Sequence, residues 1–310
     1  MLDLSIVIAV RNEEKNLDEL IRRLLLTVPK ITENYEIIFV TDINKDRTLE
    51  ILTDYHQKNS RIKILKLANG FGQYIAIMAG LDVSRASAVV IMDGDLQDYP
   101  EDIEKLYQKY SEGFDIVYAV KDSKDDSVFR NVASKIFVFI MKLLSDRKLD
   151  HNTNMFRIMS RRTVDNVRRY GEIDPSLTGL TSLIGFPTST VKVTSGERLE
   201  GETNYNFFSL MNLAINSLLS FTTKPLRFIS MFGLAISFSS LFYLLYLIIS
   251  TSFFRNNDAV GWPTVISFII LLGGLQLLSL GIIGEYIGRI FLETKKRPLY
   301  IIDRKIGDLK

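Results

Sequence analysis

The chain contains 310 residues, a length that suggests about two domains. Its 38 basic and 36 acidic residues leave a net charge of +2, which excludes a nucleic-acid binder that relies on bulk positive charge. The absence of cysteine excludes disulfide scaffolds, cysteine nucleophiles, iron–sulfur clusters and thiolate zinc sites. Because only two histidines are present, any bound metal should have oxygen ligands, as Mg²⁺ and Mn²⁺ prefer.

The N-terminal part of the chain alternates apolar runs with helical patterns. Leu4–Val10 is a continuous, β-branched run, typical of a strand that is buried on both faces. Further strands are predicted at Glu36–Val40, Ile62–Leu67, Ala88–Met92 and Asp115–Val120, and helices at about 13–27, 46–58, 73–84 and 100–112. This alternation predicts an α/β fold whose mostly parallel sheet carries helices on both faces. In such sheets, ligands bind beyond the carboxyl ends of the strands.

A glycine turn after the third predicted strand resembles part of a dinucleotide-binding fingerprint. Gly70 and Gly72 flank Phe71, and Asp93 follows about 20 residues later. However, Ile75 occupies the third glycine position, and the motif does not follow the first strand. A nicotinamide or flavin enzyme is therefore disfavoured. The alternative that this glycine turn accommodates a phosphate group is still open.

An acidic cluster follows the strand Ala88–Met92. The stretch Asp93–Asp98 (DGDLQD) holds three carboxylates and one amide, which would repel one another unless a cation lay among them. A hard divalent cation takes such oxygen ligands and shares them with substrate phosphates. The alternative is a solvated turn in which Asp98 caps the helix that begins near Pro100. The position at the end of a strand favours a functional site.

Two segments look amphipathic. Phe129–Leu144, within a predicted helix over about 128–145, places Val132, Ile136 and Phe139 on one face, and Phe207–Phe221 leads into a longer apolar run. Both helices either pack on the sheet or lie in the headgroup plane of a membrane.

Two uncharged segments near the C-terminus are long enough to cross a bilayer. They span about 228–250 and 263–284, and roughly 20 apolar residues suffice for a crossing. The alternative, two buried helices of a soluble core, is disfavoured by their length. Basic residues outside the pair place both termini in the cytoplasm and the short connection outside. Because Asp3, Glu13 and Glu14 interrupt the N-terminal run, no signal peptide is predicted.

Five stretches together resemble the polyprenyl-phosphate glycosyltransferases, which are family-2 enzymes of the dolichol-phosphate mannose synthase type. They are SIVIAVRNEE near the start, DGDLQDYPE at 93–101, FR at 156–157, the stretch Arg198–Tyr205, and GEYIGRIFLETKKRPLY at 284–300. The resemblance implies a GT-A fold, a nucleotide-sugar donor, Mg²⁺ or Mn²⁺ as cofactor, and a homo-oligomer, with a tetramer favoured. The implied reaction is an inverting transfer of a monosaccharide, by a hexosyltransferase-class enzyme, to a polyprenyl phosphate at the cytoplasmic face.

The resemblance also assigns site residues. Asp93, Asp95 and Gln97 match the residues that hold the metal and the donor diphosphate. The matches to the nucleotide pocket are Val10, Glu13, Asp42 and Asp93. Arg130 and Ser134 match the pair that receives the acceptor phosphate, with Lys121 nearby, and Arg198 matches a basic residue on a mobile loop. A metal and an arginine would neutralise the diphosphate leaving group, and a phosphomonoester dianion needs no protein base in order to attack.

The sequence departs from the family pattern around the donor. Thr41–Asn44 (TDIN) replaces the usual Asp-Asp-Gly-Ser, Met155 replaces an acidic residue, Lys121 replaces an arginine, and Gly70 replaces an asparagine. We interpret these changes as altered specificity, so a nucleotide other than UDP stays open, as does the sugar. The changes also motivate the alternative of a catalytically silent relative that binds a nucleotide or a partner.

Two other functions are disfavoured. A processive polysaccharide synthase would need more spans and a Q-x-x-R-W motif, whereas Gly261 precedes the single tryptophan, Trp262. A transporter is disfavoured because the spans carry no charge. We therefore expect four regions: a catalytic domain over 1–205, an interface helix over 206–225, two membrane helices within 226–292 and a cytoplasmic tail over 293–310.

Overall fold

The computed structural model describes residues 2–121, 155–170, 177–194, 224–253 and 262–309. Both predicted amphipathic helices lie outside these residues, as do the predicted site residues Arg130, Ser134 and Arg198. The described residues form two compact units. One contains residues 2–121, 155–170, 177–194 and 297–309, and the other contains residues 224–253 and 262–296.

The first unit alternates strands and helices over its N-terminal part. Its strands there are β1 (Leu4–Val10), β2 (Tyr35–Thr41), β3 (Ile62–Leu67), β4 (Ala88–Asp93) and β5 (Ile116–Lys121). The helices between them are α1 (Leu17–Ile31), α2 (Thr48–Lys58), α3 (Gln73–Val83) and α4 (Ile103–Ser111), the last preceded by a 3₁₀ turn at Pro100–Asp102. The predicted alternation is confirmed.

Three further strands complete the sheet. They are β6 (Arg157–Ser160), β7 (Thr188–Val193) and β8 (Ile302–Ile306), and helices α5 (Arg161–Val167) and α6 (Leu177–Ile184) lie between the first two. The described strands are ordered β7-β5-β6-β4-β1-β2-β3-β8. β6 and β8 run antiparallel to their neighbours, and the remaining pairs are parallel. The mostly parallel sheet is thus confirmed, with two antiparallel strands added.

Both faces of the sheet are buried. Ile6 and Ile8 of β1 pack with Leu20 and Leu24 of α1 in one apolar cluster. The opposite cluster contains Val7 of β1. Alternating side chains of one strand therefore serve two cores, which explains why Leu4–Val10 shows no polar face.

Helix α1 begins later than the predicted residue 13. The amide of Glu13 donates to Thr48 Oγ1 at 2.9 Å, and the amide of Glu14 donates to Asp46 Oδ2 at 3.1 Å. These bonds hold the segment after β1 against the segment after β2. The first helical turn is consequently displaced to Leu17.

The second unit consists of two long helices, α7 (Lys224–Phe253) and α8 (Trp262–Thr294). They cover the two predicted membrane spans. Among the described residues, one stretch, Leu271–Thr294 of α8, is long and apolar enough to cross a membrane. Large apolar side chains are exposed on both helices, among them Phe242, Tyr246, Leu271 and Leu277. An exposed apolar surface of this kind is typical of contact with a membrane or another protein.

The tail returns to the sheet. The sequence analysis assigns no strand to 293–310, yet β8 pairs antiparallel with β3 over Leu67–Ile302 to Ile64–Ile306. The Ala68 amide also donates to the carbonyl of Ile301 at 2.8 Å. β8 therefore covers an edge of β3 that would otherwise expose unpaired backbone groups.

Candidate active site

Polar residues collect where β1, β2 and β4 end. These three strands are parallel neighbours, and Ala9 of β1 is in register with Asp93 of β4, as Val10 is with Thr41 of β2. Their carboxyl ends consequently share one edge of the sheet, which is where ligands bind in folds of this type.

Asp93 is the last residue of β4. Its side chain is bound by the first residue of α3, the helix that precedes β4 in the chain. Gln73, the first residue of α3, donates from Nε2 to Asp93 Oδ1 at 2.6 Å. This contact between a helix start and a strand end fixes the direction of the Asp93 carboxylate. Gln73 carries no motif, so nothing in the sequence pattern identifies it.

Asp95 and Gln97 form a closed turn after β4. The backbone N–H of Gln97 donates to Asp95 Oδ1 at 3.1 Å, and the side-chain Nε2 of Gln97 donates to Asp95 Oδ2 at 2.7 Å. Leu96 between them is buried and has a φ of +62°, an uncommon conformation for a residue other than glycine. Asp98, 1% exposed, accepts a bond from the Asp93 amide at 3.4 Å. The loop thus folds its own carboxylates into fixed positions.

The donor set of this loop fits a hard divalent cation. Asp93, Asp95 and Gln97 offer carboxylate and amide oxygens, and Mg²⁺ is commonly bound by one or two carboxylates together with substrate phosphates. Within the described residues no group of three or more histidine, aspartate or glutamate side chains could hold a metal by itself.

Gly94 allows the acidic loop (residues 93–98) to pack directly on β1. A Cβ atom at this position would lie 2.6 Å from Val10 Cγ1 and 3.4 Å from the Ala9 carbonyl oxygen. Such a contact is far inside van der Waals distance. Val10 itself is 4% exposed, so the predicted nucleotide-pocket residue supports the acidic loop from below.

Asp42 lies beside Arg11 and Gly70. Arg11 Nε is 3.6 Å from Asp42 Oδ1, and a Cβ on Gly70 would lie 3.5 Å from Asp42 Oδ2. Asp42 is 7% exposed, and among the described residues its Oδ1 has no hydrogen-bond partner. Burial raises the pKa of this carboxyl above its ordinary value, although the Arg11 charge opposes the shift. A buried acceptor of this kind is suited to a donor group of a ligand.

Two of the residues that depart from the family pattern, Thr41 and Asn44, bond to each other. Asn44 Nδ2 donates to Thr41 Oγ1 at 2.7 Å, and Asn44 Oδ1 accepts from the Asn12 amide at 3.1 Å. Asn12 Oδ1 in turn accepts from the Lys45 amide at 2.8 Å. Thr41, Asn44 and Asn12 together hold the loops after β1 and β2 in place, so the TDIN sequence builds an ordered turn.

The other predicted residues are placed as follows. Glu13 lies half-buried between these loops, and its Oε2 accepts from Asn16 Nδ2 at 2.7 Å. Lys121 ends β5, in register with Val193 of β7. The sheet brings together Val10, Glu13, Asp42, Asp93, Asp95 and Gln97 at the ends of β1, β2 and β4. Lys121 belongs to a different part of the same sheet.

Comparison with known proteins identifies the family. Residues 5–168 match the domain described as glycosyl transferase family 2. The chain belongs to that family. Residues 224–290 of this family-2 glycosyltransferase match a second domain, the GtrB C-terminal hairpin, which covers α7 and all but the last four residues of α8.

Two relatives match nearly the whole of this family-2 glycosyltransferase. An uncharacterized glycosyltransferase of Synechocystis sp. is 39% identical, covering 97% of this chain and 95% of its own. A bactoprenol glucosyl transferase of Shigella phage SfX is 35% identical, covering 97% and 99%.

A solved structure supports the fold. Glucosyl-3-phosphoglycerate synthase from Mycobacterium tuberculosis, crystallised with Mn²⁺, uridine diphosphate and phosphoglyceric acid, has a TM-score of 0.51 to this chain. The two chains are 16% identical, over 71% of this chain and 78% of the other. At this identity the likeness concerns the fold alone, and it confirms the expected GT-A-type arrangement.

Proposed function

We propose that this chain transfers a monosaccharide from a nucleotide sugar to a polyprenyl phosphate. The observation that carries the proposal is the end-to-end match to a bactoprenol glucosyl transferase, which includes the C-terminal hairpin. The acidic loop at the ends of β1, β2 and β4 supplies a site suited to a nucleoside diphosphate and a divalent cation. The exposed apolar helices α7 and α8 supply a surface suited to a lipid environment.

In the proposed donor complex, Asp42 accepts a hydrogen bond from the nucleobase, and Val10 and Glu13 line the pocket. Asp93, Asp95 and the Gln97 side-chain oxygen would hold Mg²⁺ or Mn²⁺, which would supply positive charge to the diphosphate. A bound cation of this kind would neutralise the charge that develops on the departing nucleoside diphosphate. The mycobacterial synthase was crystallised with Mn²⁺ and uridine diphosphate, which supports the same chemistry here.

The acceptor step needs no protein base. A lipid phosphomonoester has a second pKa of about 6 and is largely a dianion at neutral pH. Its oxygen attacks the anomeric carbon from the face opposite the diphosphate, so a new C–O bond forms as the bond to the nucleotide breaks and the anomeric configuration inverts. Arg130, Ser134 and Lys121 are the proposed acceptor-phosphate residues, and Arg198 is the proposed cation over the site.

The membrane arrangement is part of the proposal. The spans at about 228–250 and 263–284 would form a hairpin, with both termini and the catalytic domain in the cytoplasm. Five glycines lie on α8, and among the described residues no atom lies within 4 Å of a Cβ built at any of them, which would let another helix approach: Gly273, Gly274, Gly281, Gly284 and Gly288. A homo-oligomer, with a tetramer favoured, remains our expectation.

A transfer assay tests the function. The purified full-length chain is incubated with undecaprenyl phosphate, Mg²⁺ or Mn²⁺, and a panel of radiolabelled UDP- and dTDP-linked sugars, including amino sugars. Metal-dependent label in the lipid fraction would support the reaction and identify the donor. Folded protein that transfers no sugar across the whole panel would contradict the proposal and favour a silent, nucleotide-binding relative.

Enlarging Gly94 should weaken donor binding. The added methyl of Gly94→Ala would collide with Val10 Cγ1, and relief requires the acidic loop to move away from β1. We expect the KM for the nucleotide sugar to rise about tenfold, since a displacement near 1 Å at a site can cost more than that.

Gly80→Ala is the matched control. A Cβ at Gly80 would lie 2.4 Å from Val7 Cγ1 and 2.9 Å from Val40 Cγ2, so this change also overpacks the sheet. Gly80 lies on the core side of α3, away from the acidic loop, and we expect a lower Tm with an unchanged KM. Equal KM values in the two variants would remove the argument for Gly94.

Nucleotide binding should depend on pH through Asp42. Because burial raises the pKa of the Asp42 carboxyl, this group loses its charge at a higher pH than an exposed aspartate does. The ionised form is the better acceptor, so the Kd for UDP should rise as the pH falls through that raised pKa. Binding titrations of wild type and Asp42→Asn across the acidic range check this. Protonation of UDP affects both proteins equally, so identical pH profiles would contradict a role for Asp42.

A further inference from the structure

Arg157 is a fully buried cation in the sheet beside the candidate site. It begins β6 at 0% exposure, between Ile91 of β4 and Tyr118 of β5. Side chains two residues apart on a strand share a face, so Asp93 lies on the same face of β4 as Ile91. Arg157 therefore lies on the neighbouring strand, on the same face of the sheet as Asp93 and two residues back from it in register.

The guanidinium of Arg157 is fixed by its surroundings. Its central carbon lies 4.9 Å from the centre of the Tyr118 ring, and its Nε donates to the Met155 carbonyl oxygen at 3.1 Å. The Tyr118 hydroxyl and Thr181 Oγ1 form a buried hydrogen bond of 2.9 Å, which holds the ring. These contacts leave little freedom for the charged group to move.

Arg157 remains charged despite its burial. Loss of solvent lowers its pKa to about 10, and interactions with Tyr118, Tyr74 and Asp93 oppose that shift. A value near 10 leaves the guanidinium protonated at neutral pH. Asp93 is thus coupled electrostatically to a cation that the sheet holds permanently in place.

A buried arginine is costly when stability is the only consideration. Burial of one ion costs several kcal/mol of lost hydration, and even a whole buried ion pair can often be replaced by apolar side chains without loss of stability. Methionine would fill much of the same volume between Ile91 and Tyr118. A function for the charge explains its presence better: when a diphosphate binds beside Asp93 and Asp95, several negative charges come close together, and the Arg157 cation would offset them.

We propose that Arg157 is a positioning residue for the donor site, acting through Asp93. This inference rests on the proposed function, because it assumes that a nucleoside diphosphate binds at the acidic loop. Arg157 supplies a fixed positive charge on the protein side of Asp93, and Gln73 orients the same carboxylate from α3. Together they offset the repulsion between the acidic loop and the incoming diphosphate.

The test compares Arg157→Met, Arg157→Gln and Arg157→Lys in the full-length chain. Calorimetric titration with UDP in the presence of Mn²⁺ gives Kd, and thermal unfolding gives Tm. We expect the Kd of the methionine and glutamine variants to rise at least about tenfold, as for loss of other residues that support metal ligands. We expect the lysine variant, which keeps the charge, to recover most of the affinity. A role in folding alone would instead lower Tm and leave the Kd of the folded variants unchanged.

Arg161→Met is the matched control. Arg161 lies at the opposite edge of the sheet, where its Nη1 donates to the Ser84 carbonyl oxygen at 2.7 Å. Its replacement removes a partly buried guanidinium next to the same strand, so Tm should fall while Kd stays within about twofold.

The outcomes separate the inference from the proposed function. If wild type binds neither UDP nor any other nucleotide of the panel, the proposed function is contradicted. If wild type binds UDP and folded Arg157→Met or Arg157→Gln binds it equally well, only the Arg157 inference is overturned. If neither uncharged variant folds, while Arg157→Lys folds and binds normally, Arg157 is a residue of the fold and the inference is also overturned.

Discussion

Sugar transfer should be almost abolished in Asp95→Asn. The change keeps the size of the side chain but removes the negative charge from the acidic loop. Loss of a residue that merely supports a metal ligand costs about 10–100-fold. For the loss of a ligand itself, we expect kcat/KM to fall at least about 100-fold. Initial rates over a range of Mn²⁺ concentrations measure this, and excess Mn²⁺ should restore only part of the activity.

Glu101→Gln provides the control for Asp95. Glu101 lies three residues after the acidic loop, in the turn before α4, and its carboxylate pairs with Arg23 at 2.5 Å and is about half exposed. An exposed ion pair contributes about 0–1 kcal/mol to stability, so transfer should change less than about twofold. If Asp95→Asn retained a third or more of wild-type activity, the assignment of Asp95 as a metal ligand would be wrong.

The N-terminal half of the sheet could be predicted because its strands are buried on both faces. A strand such as Leu4–Val10 has no polar side, so it appears in the sequence as an uninterrupted apolar run. The start of the first helix has no comparable local signal. The displaced start of α1 at Leu17 depends on bonds between Glu13, Glu14 and the loop after β2, which are far apart in the sequence.

The late strands carry weaker signals. β6 has four residues, and it includes the buried cation Arg157. β8 reads IDRKI, with three exposed polar residues, because it lies at a sheet edge. Its pairing with β3 joins segments more than 230 residues apart, and no local pattern encodes such a contact. The sequence pattern of the tail therefore does not place it in the sheet.

The candidate site shows the same division. Asp93 and Asp95 stand in a recognisable motif directly after a strand, so the sequence identifies them. The residues that orient them do not stand in motifs: Gln73 begins a helix, and Gly94 is defined by its contact with Val10. Their importance follows from distances across the fold. Likewise, Thr41 and Asn44 appear in the sequence as two separate departures from the family pattern, but in the structure they are hydrogen-bonded to each other.

A buried ion pair connects the tail with the centre of the sheet. Lys63 Nζ of β3 donates to Glu36 Oε2 of β2 at 2.8 Å, and both side chains are less than 10% exposed. Lys63 Nζ also donates to the Asp308 carbonyl oxygen at 2.9 Å. Glu36 Oε1 accepts further bonds from Ser5 Oγ and from the Arg85 amide. The pair therefore links β1, β2 and β3 to the residues that follow β8.

Lys63→Met should lower the stability of the sheet unit strongly. Removing one partner leaves the Glu36 carboxylate buried without its counter-charge, which typically costs about 3–5 kcal/mol. In a domain of this size, that loss corresponds to a Tm lower by about 10 °C. Thermal unfolding of the full-length chain in detergent, followed by circular dichroism in the range where the sheet contributes, measures the shift.

The double variant Glu36→Leu/Lys63→Met separates charge from packing. If the cost of Lys63→Met arises from the uncompensated carboxylate, removing that carboxylate should restore most of the lost Tm, because two apolar side chains then fill the same space. If it arises from the lost bond to Asp308, the double variant should be no more stable than the single one. A Lys63→Met variant with wild-type Tm would show that Glu36 is accommodated without its partner, and the ion pair would have no role in holding the tail.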